Sequence, residues 1–194
     1  MYKRQGVLDI ETLNEARKAL LKINPDIIMY GEGWTGGEST LPESERGMKI
    51  NAPRTPGIGM FSDDIRDAVK GHVFYMDELG FVNGAADRGE ELKQAVTCAE
   101  WAKSPMQSIN YLSCHDNYTL WDRFIISNSH ESEEMRIRMN KLAAAILFTA
   151  QGIPFFLHGE EFARTKISEA DGAPVENSYC SPLSVNAIDY DRAE

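Results

Sequence analysis

The sequence is poor in cysteine, and its three cysteines are far apart along 194 residues. The spacing of Cys98, Cys114 and Cys180 fits neither a disulfide framework nor a metal-binding cluster. We therefore expect free thiols in a reducing compartment such as the cytoplasm, with no cofactor and no bound metal.

Positive charge and long apolar runs are also scarce. The net charge of −10 at pH 7 argues against nucleic acid and anionic membrane surfaces as partners. No apolar run approaches the ~20 residues that a membrane-spanning helix needs. There is no internal repeat and no phosphate-binding glycine motif. These absences favour a globular protein with a neutral or cationic small-molecule ligand.

The first five residues, Met1-Tyr2-Lys3-Arg4-Gln5, differ in character from the rest of the chain. They are polar and lack the apolar stretch of a signal peptide. We expect residues 1–5 to be a non-native leader and residues 6–194 to form one domain. On that interpretation, the leader carries no information about secretion of a parent protein.

The periodicity of apolar residues predicts helices that alternate with strands. One helix begins after an N-cap at Asp9, and two more are predicted at 89–96 and 133–150. Four short apolar runs predict buried strands: Ile27–Tyr30, Ile58–Phe61, Ile109–Cys114 and Ile153–Leu157. Residues 35–57 predict a long loop. The order indicates an α/β fold that is about half of a (β/α)8 TIM barrel.

Two of the predicted helices have an apolar stripe that we expect to be buried. The stripe of the first is Ile10, Leu13, Ala16, Leu20 and Ile23, and the stripe of the helix at 133–150 is Met135, Met139, Leu142, Ile146 and Leu147. We interpret the methionines as core residues, because their spacing follows the helical period.

Ionisable side chains follow the predicted strands, where active sites of parallel α/β folds are built. Glu32 follows the first strand, Asp63 and Asp64 the second, and His115-Asp116 the third. Two carboxylates at one edge of a sheet are part of what a retaining glycosidase needs. Each group also has a structural interpretation, as a solvated turn residue or as a helix cap.

Several motifs resemble those of the pullulanase-type debranching enzymes of the α-amylase superfamily. The two most specific are Tyr30-Gly31-Glu32-Gly33-Trp34 and the run from Tyr111 to Asp122. Further resemblance lies at 62–71, 152–156, 159–162, 177–179 and 185–189. The resemblance implies the C-terminal half of the catalytic barrel, strands five to eight.

The resemblance implies roles for six residues. Glu32 corresponds to the general acid/base that serves an α-1,6-glucosidic bond, and Asp116 to the carboxylate that stabilises the transition state. His115 would bind the same sugar and Asn117 would orient its neighbours, while Trp34 and Tyr118 would stack against sugar rings. The implied partner is an α-glucan such as pullulan, limit dextrin, glycogen or amylopectin.

One element of the family pattern has no counterpart here. The family's nucleophile is an Asp in an Arg-x-Asp signature, and the segment Gly6–Asp9 resembles the residues on the C-terminal side of that signature. Without a nucleophile no glycosyl-enzyme intermediate can form. We therefore expect the chain alone to be inactive and to need the missing N-terminal half of the barrel.

Two alternatives from other functional classes remain open. A non-catalytic α-glucan-binding module would keep the sugar-contacting residues without turnover. A metal-dependent α/β protein would use His158 and Glu161, although two groups without further ligands are weak evidence for a metal.

Overall fold

The computed structural model describes residues 5 to 193. The α-helices are α1 (Ile10–Leu21), α2 (Asp63–Lys70), α3 (Gly89–Thr97), α4 (Leu120–Ser127), α5 (Glu133–Thr149) and α6 (Leu183–Asn186), and the strands are β1 (Met29–Gly31), β2 (Ile58–Ser62), β3 (Ser108–Asn110) and β4 (Ile153–Pro154). Of the predicted leader, residues 1–4 lie outside the described residues, while the side chain of Gln5 is buried.

The four strands form one sheet in the order β1-β2-β3-β4. β1 pairs with β2 in parallel, with Met29 opposite Ile58, and β2 pairs with β3 in parallel, with Met60 opposite Ser108. The predicted α/β class is therefore confirmed. The assignment of these strands to positions five to eight of a barrel stays a prediction.

The chain divides into two compact units. The first contains the residues up to Ser62 together with Thr97–Asn110 and Gln151–Ile153, and the second contains Asp63–Val96, Tyr111–Ala150 and the residues from Pro154 onward.

Among residues 5–193, no helix has both the length and the apolar character needed to cross a membrane.

In the first unit, α1 packs on the sheet through one apolar row. The Asp9 carboxylate accepts a hydrogen bond of 2.7 Å from the Thr12 amide, which confirms the predicted N-cap. Leu13 is buried with Met29 and Ile58. The predicted stripe is wrong at its end: Ile23 is 84% exposed, because α1 ends at Leu21 and Ile23 lies beyond the helix.

The long loop after β1 is held by a side chain that the sequence analysis did not single out. The loop contains two short 3-10 helices, Glu43–Glu45 and Lys49–Arg54. The buried Gln107 amide donates to the carbonyls of Ala52 at 2.9 Å and Thr55 at 3.1 Å. Its oxygen accepts from the Lys103 amide at 3.1 Å. One side chain thus adds buried hydrogen bonds to carbonyls that already accept from the Thr55 and Ile58 amides.

In the second unit the core lies between α2, α4 and α5. Its buried residues are Ile65, Ala68, Val69, Val82, Ala95, Leu112, Leu120, Phe124, Met139, Ala143 and Leu147. On α5 the buried row is Met139-Ala143-Leu147. The predictions for Met135 and Leu142, which are 37% and 45% exposed, are wrong. Met135 continues this row but lies in the first turn of α5, before the buried residues begin, and Leu142 lies beside the row.

Three helices and two strand ends differ from the sequence prediction. α2, α4 and α6 were not predicted, although Thr119 caps α4 by accepting from the Asp122 amide at 3.1 Å. β3 ends at Asn110 rather than Cys114, and β4 covers only Ile153–Pro154. Since proline has no amide hydrogen, it is unsuited to continue a paired strand.

The second unit also buries a lysine and a glutamate. Burial, followed by the charge of nearby Arg66, lowers the pKa of Lys70 to about 8, while the charge of Glu160 opposes the shift. Burial raises the pKa of Glu160 to about 7, against the hydrogen bond from Ser113 and the charge of Lys70. Both ionised forms are therefore disfavoured by their surroundings.

We expect Gln107→Ala to destabilise the protein by about 1–3 kcal/mol, because it removes two buried hydrogen bonds to the Ala52 and Thr55 carbonyls and takes the side-chain acceptor away from the Lys103 amide. Thermal unfolding of the full-length protein checks this, with the exposed Gln151→Ala as the matched control. An unchanged melting temperature for Gln107→Ala would show that the loop does not depend on the Gln107 hydrogen bonds.

We expect Glu160→Gln to change how stability depends on pH. Because the pKa of Glu160 rises from 4.5 to about 7 on folding, the folded protein binds more protons than the unfolded protein between these values. The wild type should therefore lose stability relative to Glu160→Gln as the pH rises through this window. Melting temperatures of both proteins at a series of pH values measure the difference, and parallel curves would contradict it.

Candidate active site

The first candidate residue lies at the carboxyl end of β1. Glu32 directly follows Gly31, the last residue of the strand, and its side chain is 6% exposed. Gly33 has φ +72°, and a Cβ there would lie 3.0 Å from Met60 side-chain atoms. Because only glycine fits this turn without strain, the sequence Gly-Glu-Gly turns the chain immediately beyond the carboxylate.

Two backbone hydrogen bonds hold the part of this turn that follows Glu32. The Gly33 carbonyl accepts from the Lys49 amide at 3.0 Å, and the Trp34 carbonyl accepts from the Gly6 amide at 3.1 Å. The turn that carries Glu32 is therefore fixed by two segments that are distant in sequence.

Trp34 belongs to a cluster that sequence reasoning missed. The Lys49 ammonium lies 5.0 Å from the Trp34 ring centroid and 5.8 Å from the Trp101 ring centroid. Both distances are within the range of cation–π attraction. No local pattern links three residues so far apart in sequence, and only the folded chain shows the cluster.

The second candidate group lies in the second unit, in the turn before α4. His115 Nε2 lies 3.3 Å from Asp116 Oδ2, and both side chains are close to half exposed. The Lys166 ammonium donates to the His115 carbonyl at 3.5 Å. The structure thus brings His115 and Asp116 together and leaves both open to a ligand.

Asn117 and Tyr118 complete this turn. Asn117 has φ +60°, a left-handed conformation that asparagine tolerates better than most residues. Its amide donates to the Asn177 side chain at 3.4 Å. Partial burial raises the pKa of the Tyr118 phenol, and the charges of Glu176 and Asp122 add to the shift. The orienting role of Asn117 stays a prediction.

Asp63, predicted at the exit of β2, is part of a polar network in the second unit. The Arg66 guanidinium donates to the Tyr111 hydroxyl at 2.6 Å, contacts Asp63 Oδ1 at 3.2 Å and binds Asp67 at 2.6 Å. Tyr111 also donates to Asp63 at 3.2 Å. Burial lowers the pKa of Arg66. The hydrogen bond with Asp67 and the charges of Tyr111, Asp67 and Asp63 raise it by more, so the pKa lies above its usual value. Burial raises the pKa of Tyr111.

His158 and Glu161, the candidate metal ligands, engage different partners. His158 Nε2 lies 3.2 Å from the Tyr190 hydroxyl, and Glu161 accepts from the Gly159 amide at 2.9 Å. Within residues 5–193, neither belongs to a group of three or more potential ligand residues close enough to share an ion. The geometry gives this hypothesis no support.

Comparison with known proteins adds information on the family. No protein-family model matches the chain. The chain is 39% identical to a pullulanase of Bacillus subtilis (strain 168) over 97% of its own length and 26% of the relative's. It is 30% identical to a pullulanase of Klebsiella aerogenes over 87% of its own length and 19% of the relative's.

Solved structures give the same result. A pullulanase of Paenibacillus barengoltzii, in complex with maltohexaose and alpha-cyclodextrin, is 44% identical with a TM-score of 0.89, over 98% of this chain and 30% of that one. A pullulanase of Anoxybacillus sp. LM18-11 is 43% identical with a TM-score of 0.91, over 98% of this chain and 26% of that one.

This chain therefore spans about a quarter of the length of the relatives that it matches. On sequence and on fold, it belongs with the pullulanase-type debranching enzymes, of which it resembles one segment.

Proposed function

We propose that the chain is part of an α-glucan debranching hydrolase, which cleaves α-1,6-glucosidic linkages with retention through a double displacement. The observation that carries this proposal is the similarity to pullulanases over 97% of the chain. Structures of relatives with maltotriose and maltotetraose bound support an α-glucan as the ligand class.

Glu32 is the proposed general acid/base. It directly follows β1 on a turn fixed by the Lys49 and Gly6 amides, so its carboxyl group is held on a rigid element. It would protonate the glycosidic oxygen in the first step and activate water in the second.

Asp116 is the proposed stabiliser of the positive charge that develops on the sugar ring. Its carboxylate is close to half exposed and 3.3 Å from His115 Nε2. A fixed negative charge beside an oxocarbenium-like centre lowers the energy of the transition state more than that of the bound substrate. His115 would hydrogen-bond the hydroxyls of the same sugar.

Three further residues have proposed roles. Trp34 and Tyr118 would offer aromatic faces to the apolar faces of glucose units. Asn117, in its left-handed conformation, would set the direction of the backbone between His115-Asp116 and the start of α4.

None of these residues is assigned as the nucleophile. The Arg-x-Asp signature of the family is absent from this sequence, so we propose that the nucleophile comes from another part of the parent protein. The same absence favours the second candidate function, a non-catalytic α-glucan-binding module. Such a module would bind maltotriose without hydrolysing pullulan.

The experiment uses the full-length protein, that is, the parent protein that also supplies the nucleophile. There we expect Glu32→Gln to lower kcat on pullulan by about 10²–10⁴-fold, because glutamine cannot transfer a proton. Maltotriose binding should persist, since the amide keeps the shape of the carboxyl group. Reducing-end release measures turnover, and calorimetry measures binding.

The exposed Glu38→Gln, on the loop after β1, is the matched control and should keep wild-type turnover. Near-normal turnover of Glu32→Gln would show that another group transfers the proton. A wild-type protein that binds maltotriose but releases no reducing ends from pullulan would favour the binding module.

A further inference from the structure

We propose that Glu160 is a positioning residue that holds the turn Ser113–Asn117, and with it His115 and Asp116, in working geometry. This inference rests on the proposed function, because it concerns the residues assigned there. Glu160 itself touches neither the proposed substrate nor the reacting atoms.

The contact that carries the inference joins two buried side chains. The Ser113 hydroxyl donates to Glu160 Oε2, and the two residues are 2% and 4% exposed. Ser113 stands two positions before His115, after β3 has ended at Asn110. No sheet pairing fixes the backbone at Ser113, so its side chain supplies an anchor there.

Glu160 is itself held by a rigid element. Its carbonyl accepts from the Asn140 side chain of α5 at 3.2 Å, and its amide donates to the Leu157 carbonyl at 2.9 Å. α5 packs into the core through Ala143 and Leu147. A shift of the turn at Ser113 therefore works against a helix that is packed into the core of the second unit.

A second contact holds the same turn at its centre. The Lys166 ammonium reaches the His115 carbonyl at 3.5 Å, and the Lys166 amide donates to the buried Asp122 carboxylate at 2.9 Å. The turn is thus attached at Ser113 through Glu160 and at His115 through Lys166.

The charges around Glu160 show that a carboxyl group is costly at this position. Burial raises the pKa of Glu160 to about 7. Lys70 on α2 attracts its carboxylate, while Glu161, its neighbour in the 3-10 helix Glu160–Phe162, repels it. Glu160 Oε1 is buried without a hydrogen-bond partner among residues 5–193. An apolar side chain of the same size would be cheaper to bury, so packing alone does not account for a glutamate here.

The experiment compares two substitutions that fill the same volume, in the full-length protein. Glu160→Gln keeps an acceptor for the Ser113 hydroxyl, whereas Glu160→Met does not. Ser113→Ala removes the other partner. We expect Glu160→Met and Ser113→Ala each to lower kcat on pullulan at least about tenfold with KM nearly unchanged, as for a small misplacement of catalytic groups. Glu160→Gln should keep most of kcat.

The double variant Ser113→Ala/Glu160→Met separates positioning from general damage. If the two residues act through one contact, the double variant should be no slower than either single variant. Additive losses, equal losses for Gln and Met at position 160, or wild-type kcat in a folded Ser113→Ala protein would each overturn the inference. The exposed Glu169→Gln is the control for charge removal.

Crystal structures of Glu160→Gln and Glu160→Met test the same point without activity. We expect the turn Ser113–Asn117 to be displaced in the Met variant and to keep its place in the Gln variant. An unmoved turn in both would overturn the inference even if the proposed function holds. A full-length protein without pullulanase activity would instead contradict the proposed function, and the crystal structures would still decide the role of Glu160.

Discussion

Parallel pairing of β1, β2 and β3 is the constraint on which the first unit depends. Parallel strands cannot be joined by tight hairpins, so long connections must carry the chain back before each new strand. The pairing is also close: a Cβ on Gly59 would lie 2.7 Å from Ile109 Cδ1 and 3.3 Å from Tyr30 Cβ. Glycine at this central position lets the larger neighbours on β1 and β3 pack over β2. The turn with Glu32 begins where this pairing ends.

Local patterns predicted the elements whose signal lies within a few residues. Asp9 predicted the start of α1, Leu13 predicted its buried face, and the apolar run from Ile58 predicted β2. The patterns missed α2 and α4, because each has only eight residues and too few turns to show a stripe. They also extended β3 to Cys114, because an apolar run continues past the point where pairing stops.

The side chains that support the candidate site were beyond the reach of sequence reasoning. Ser113 and Glu160 are separated by 47 positions, and Lys166 and His115 by 51. Such pairs have no periodicity and no spacing rule, so only the folded chain brings them together. The motif residues His115 and Asp116 were recognisable because they are adjacent in sequence, and their contact needs little more than the turn itself.

The cation–π cluster of Trp34, Lys49 and Trp101 limits how Trp34 could stack on a sugar in its proposed role. Its ring has two faces, and the Lys49 ammonium lies 5.0 Å from the centroid over one of them. A pyranose that stacks on this indole must therefore use the opposite face or displace the lysine. Because the attraction to Trp101 also holds the ammonium, at 5.8 Å, displacement would cost two contacts of about 0.5–1 kcal/mol each if exposed. The cluster therefore favours stacking on the opposite face, with Lys49 fixing the orientation of the ring.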